Sequence, residues 1–127
     1  MKNNFFVLVF VVLLLILIPG IVLAGGRRET VTEEKFRVAM LLPGPITDEG
    51  WNQSAHEGLM RIRDNLGAEV DFVEMVSSAD MEELFRGYAT QGYNIIFGHG
   101  FQFGDPASEI APDFPNIKFV ITSTTFI

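Results

Sequence analysis

Four short apolar runs recur along the chain: Phe36 to Leu42 (FRVAMLL), Glu69 to Val76 (EVDFVEMV), Tyr93 to Gly98 (YNIIFG) and Lys118 to Thr122 (KFVIT). Each is the length of a strand and too short for a typical helix. Amphipathic stretches of helical length separate them. Strand-length runs alternating with helical stretches are the pattern of βαβ units, whose strands pair in parallel. This spacing predicts an α/β fold with four strands and three helices, right-handed crossovers and the parallel sheet order 2-1-3-4.

The punctuation fixes the details. Pro43-Gly44-Pro45 ends the first strand, because two prolines forbid both ladder pairing and helix. Asp48 or Thr47 caps a helix from about Gly50 to Leu66, with Trp51, Ala55, Leu59, Ile62 and Leu66 on one face at spacings of 4, 4, 3 and 4. Gly67 stops it with a left-handed turn. In the second strand Val70, Phe72 and Val76 share one face among acidic residues, which suits an edge position. Asp80 with Glu83 has capping-box spacing, and Met81, Leu84, Phe85, Tyr88 and Ala89 form the buried stripe of a helix ending at Gly92. The third strand is continuously apolar, as expected of one covered on both faces. A short helix starts at Asp105-Pro106 and ends near Ala111, ahead of Pro112 and Pro115. No helix follows the fourth strand, so one flank of the sheet is left bare and the lobe reads as truncated.

The amino-terminal segment is of a different kind. From Phe5 to Ile18 all 14 residues are apolar, preceded by Lys2 and followed by Pro19-Gly20 and Val22-Leu23-Ala24. That layout predicts an export signal over residues 1–24, since the run fits a signal's hydrophobic region better than the roughly 20 residues of a spanning helix. An uncleaved anchor is the competing reading of the same run. Residues 25–35 read as a flexible leader, and residues 36–127 as the folded part. The chain has no cysteine, which excludes disulfides, thiolate metal sites, a cysteine nucleophile and attachment of a lipid to a thiol. A secreted or extracytoplasmic location at the outer face of the plasma membrane is expected, without a lipoprotein anchor. Without residues 1–24 the chain keeps 8 basic against 16 acidic residues. So acidic a chain lacks the clustered Lys and Arg that neutralise phosphates, and nucleic acid is not an expected partner.

In open parallel sheets small molecules bind where connections diverge at the carboxyl ends of the strands. Pro43 to Asn52, Ser77 to Asp80 and Gly98 to Gly104 converge there. Trp51 and Phe101 offer flat rings, Asn52 and Gln53 both donate and accept, and Gly98 and Gly100 let backbone approach a ligand. Rings that stack and amides that read edges suit a planar heterocycle such as a purine. Trp51 packed inward is the alternative reading of the indole. Asp48 has two candidate tasks, capping the helix or accepting a bond from a ligand. Phe101 and Phe103 alternate around Gln102, so one faces the core and the other the loop. His99 reads as a hydrogen-bonding loop residue. The chain lacks G-x-S-x-G, and His56 in HEGLM has no second histidine to complete H-E-x-x-H, so neither enzymatic activity nor a metal or other cofactor is expected.

The segments PGPITDEGWNQSAHEGL, GYNIIFGHGFQFGD and APDFPNIKFVITS resemble the basic membrane protein family of substrate-binding proteins, which includes purine nucleoside receptors of ABC importers. The resemblance covers Phe36 to Ser123. It implies a type I periplasmic-binding fold, a Rossmann-like lobe of which this chain holds the first part of the N-terminal one, and delivery of a purine nucleobase or nucleoside to an ABC permease. It also implies that Trp51 stacks on the base, that Asn52 is a polar contact, and that Gly98 to Phe101 border the cleft. One position departs from the pattern. Nucleoside-binding members carry an Asp nine residues before the aromatic, where this chain has Leu42, and that favours a nucleobase or another small heterocycle. Since ligand closure in this fold needs two lobes, the 127-residue chain alone is expected to bind weakly or not at all. A family member with a regulatory or sensory role, and a fragment without function of its own, are the competing readings.

Overall fold

A computed structural model describes residues 34–123. The proposed export signal and residues 25–33 of the leader lie outside them. Glu34 and Lys35, the end of the expected leader, are exposed and without regular structure.

Nine elements follow in order: β1 (Arg37–Leu41), α1 (Trp51–Leu66), β2 (Glu69–Val73), α2 (Met81–Thr90), β3 (Ile95–Gly98), a 3-10 turn (Phe101–Phe103), α3 (Gly104–Ile110), a second 3-10 turn (Ala111–Asp113) and β4 (Lys118–Ile121). The strands form one parallel sheet in the order β2-β1-β3-β4. The 2-1-3-4 order expected from the sequence therefore stands.

The sheet sits between two apolar layers, and β1 shows why. Its alternate side chains, Val38 and Met40 on one face and Ala39 and Leu41 on the other, are all buried. Val38, Met40 and Leu42 pack with Leu59 of α1, with Val70 and Phe72 of β2 beside them. Ala39 and Leu41 pack with Ile96 of β3 and with Met81, Phe85, Tyr88 and Ala89 of α2, joined by Phe103, Ala107 and Ile110. One helix thus covers one face and two helices the other. Right-handed crossovers require that split when the chain winds outward in both directions from β1.

Some local expectations fail for identifiable reasons. Val76 packs with α2 in the opposite layer from Val70 and Phe72. The strand has already ended at Val73, and Met75 takes a left-handed φ of 59°, so the two-residue period no longer applies. Leu66 is 77 % exposed, because the helix has run past the edge of the layer it covers. The Asp80–Glu83 capping box does not form. Asp80 is already helical at φ −97° and ψ −10°, and its carboxylate instead accepts the Ser77 hydroxyl at 2.6 Å.

Candidate functional site

The order 2-1-3-4 makes the chain leave β1 in one direction and β3 in the other, which opens a crevice between the loops after these two strands. Pro43 to Gly50 follows β1 and His99-Gly100 follows β3. The two loops meet through side chains. The Trp51 and His99 rings lie with centroids 3.8 Å apart and planes tilted by 32°. The Trp51 indole remains 49 % exposed, so the inward-packed alternative does not hold. It stands at the rim, over an imidazole.

Asp48 shapes the entry to α1. One carboxylate oxygen accepts the backbone N–H groups of Gly50 and Gln53 at 3.0 and 3.1 Å, and the other accepts the Asn52 N–H at 2.9 Å. Of the two expected caps Asp48 is the one used, acting from two positions ahead of Gly50. These donors hold its pKa near 2, the Asn52 and Gln53 amides contributing most, as a carboxylate at a helix N-terminus should be. Asn52 Nδ2 also donates to Asp48, at 2.8 Å, and Asn52 itself is 7 % exposed. Its Oδ1 is buried and accepts no hydrogen bond, an arrangement that leaves a desolvated acceptor. Gly44 lies against this amide, close enough that a Cβ there would come within 2.6 Å of Nδ2.

The loop after β3 is as constrained. Gly100 has φ 136°, and a Cβ on it would press into the Gln102 side chain, so only glycine fits without strain. Phe101 then points to solvent at 68 % exposure while Phe103 is fully buried, the division that their alternation implied. Gly98 differs from expectation. The space of its missing Cβ faces Phe103 Cβ at 2.5 Å and Ile121 Cδ1 at 2.9 Å, so this glycine serves internal packing and not close approach of a ligand.

His99 is 6 % exposed. Its Nδ1 lies 2.7 Å from Thr122 Oγ1, and its Nε2 lies 3.2 Å from the Trp51 carbonyl. Burial lowers its pKa, partly offset by the bond to that carbonyl and by the charge of Asp48. The loop after β2 joins through Glu74, whose carboxylate accepts the Ile46 N–H at 2.7 Å, rather than through the Ser77 to Asp80 stretch. Sequence reasoning gave Glu74 and Thr122 no part here, since each acts through a partner distant in the chain. Leu42 is fully buried with Leu59. The rim segments Pro43 to Asn52, Glu74 to Asp80 and Gly98 to Gly104 carry Asp48, Glu49, Glu74 and Asp80 and no Lys or Arg.

Comparison with known proteins gives this geometry a context. The family model of PnrA-like ABC transporter substrate-binding proteins matches residues 35–126. A purine-binding protein of Brucella abortus is 31 % identical over 105 residues, covering 80 % of this chain and 29 % of that protein. The transcriptional activator protein med of Bacillus subtilis is 28 % identical over 112 residues, covering 87 % and 35 %. Among solved structures, an ABC transporter system solute-binding protein of Aeropyrum pernix superposes with a TM-score of 0.63 at 28 % identity, covering 72 % of this chain and 26 % of that one. The chain thus spans about a third of the length of the relatives it matches.

Proposed function

The chain belongs to the PnrA-like family of ABC transporter substrate-binding proteins, and from that premise we propose that it takes part in holding a purine-like heterocycle for import through an ABC permease. The observation that carries this reading is the half-exposed Trp51 ring at the mouth of the β1–β3 crevice. A planar solute stacks on the free face of that indole. Asn52, with a buried oxygen that accepts no hydrogen bond, is the polar contact, Asp48 holds its amide in place, and Gly100 and Phe101 form the opposite rim. The acidic rim without Lys or Arg disfavours phosphorylated solutes, so a nucleobase or nucleoside is preferred over a nucleotide. The likeness to a purine-binding protein supports the same class.

In this reading residues 36–127 are part of an N-terminal lobe, residues 25–35 a leader, and residues 1–24 an export signal that sets the protein outside the plasma membrane. With no cysteine in the chain, there is no thiol for a lipid. The likeness to a transcriptional activator favours a second reading, in which the bound solute is sensed rather than imported.

The test is NMR of the full chain titrated with adenine, adenosine and AMP up to millimolar concentration, a range suited to contacts from one rim. The indole N–H of Trp51 is expected to shift with adenine or adenosine and much less with AMP, and Trp51→Ala to abolish the remaining shifts around Asn52. An indole unmoved by every purine removes the ligand assignment.

A further inference from the structure

The proposed site leaves one buried ionisable group without a task. His99 lies beneath the exposed indole, and its ring is tied on every side. The backbone N–H of His99 donates to the Leu41 carbonyl at the end of β1 at 2.9 Å. Thr122, whose N–H reaches the Gly98 carbonyl at 3.1 Å, meets Nδ1, and the carbonyl of Trp51 meets Nε2. A carbonyl can only accept, so Nε2 carries the hydrogen, and in the neutral ring Nδ1 is the acceptor of the Thr122 hydroxyl. The imidazole therefore has one tautomer and one plane, both set by the Trp51 carbonyl at the start of α1 and the Thr122 hydroxyl after β4.

We propose that His99 is the positioning residue of Trp51, fixing the indole by ring contact and fixing the first residue of α1 by the bond to its carbonyl, so that one aromatic face is presented to the crevice. The indole has no comparable anchor of its own, since half its surface is open. A stacked aromatic pair with an immobile lower member restricts the upper one. Asp48, before α1, is the charged group acting on His99. The end of β1 presents Leu41 and Leu42, the end of β4 Ile121 and Thr122, and Gly98 to Gly104 holds no other ionisable side chain. The consequence for ligand affinity rests on the function proposed above, whereas the pairing itself does not.

The chain contains one tryptophan and two histidines, which makes the pairing directly readable. A protonated imidazole in contact with an indole quenches its emission. In the ligand-free full chain, Trp51 fluorescence should rise in a single step as pH increases, with a midpoint below the ordinary 6.5 of histidine. The step should vanish in His99→Asn and persist in His56→Asn, and His99→Asn should lower the fluorescence anisotropy of the indole. Adenine affinity should fall by about 2- to 10-fold in the same variant. A step that survives in His99→Asn, or is missing from the parent, overturns the inference. Should circular dichroism find His99→Asn unfolded, nitrogen-15 NMR of the parent decides, a neutral His99 with its hydrogen on Nδ1 being the contrary result. A fluorescence step of the expected kind with an indole indifferent to purines sinks the ligand reading alone.

Discussion

Asp48 receives four hydrogen bonds, three from backbone amides and one from the Asn52 side chain, so the rim depends on its charge. Its folded pKa, about 2 against an ordinary 3.8, means that the carboxylate stabilises the native state above pH 3.8 and that this contribution disappears as pH falls toward 2. Asp48→Ala should therefore melt below the parent at pH 7, with the gap closing between pH 4 and pH 2. Thermal melts across that range, scored by far-ultraviolet circular dichroism, check the sign. Gly98 makes a different demand. A methyl group there meets Phe103 and Ile121, and overpacking of this kind costs about 1–3 kcal/mol. Gly98→Ala should lower the urea midpoint accordingly. A variant as stable as the parent would mean that β3 and the Phe103 turn separate more readily than their contact implies.

The elements differ in how much of each they bury. In α1 Leu59 is fully enclosed, whereas Leu66 is largely exposed at the carboxyl end. Leu59→Ala should cost about 2–5 kcal/mol and Leu66→Ala less than about 0.5 kcal/mol, a contrast that paired urea titrations measure. The existence and order of these elements could be read in the chain, because period, proline punctuation and crossover handedness act over short distances. The strand order and the Phe101–Phe103 division followed from such local rules. The side of the sheet that receives Val76 did not, since it depends on the left-handed bend at Met75, and Met carries no signal for that conformation. Nor did the failed capping box at Asp80, where the neighbouring Ser77 hydroxyl takes the carboxylate that Glu83's amide would have needed. Trp51 was legible as a ring at the rim. His99 was legible as a hydrogen-bonding loop residue, but its pairing with Trp51 was not, the two being 48 residues apart and joined only by the fold.

For the whole described unit the sheet sets a gradient of order. β1 lies at the centre with both faces covered and is paired on both sides, while β2 and β4 form the edges. Amide exchange should be slowest in β1 and β3, faster in β4, and local opening should begin at the edges. Mass-resolved hydrogen exchange tests this ordering, and equal protection of β4 and β1 would contradict it. The two central strands are also those whose loops hold Trp51 and His99 face to face. In the function proposed above, a guest arriving at that indole would meet a platform carried by the two central strands, so little freedom would be surrendered on arrival. Conditions too mild to loosen β1 should leave that landing place in register even after the borders of the sheet have begun to fray.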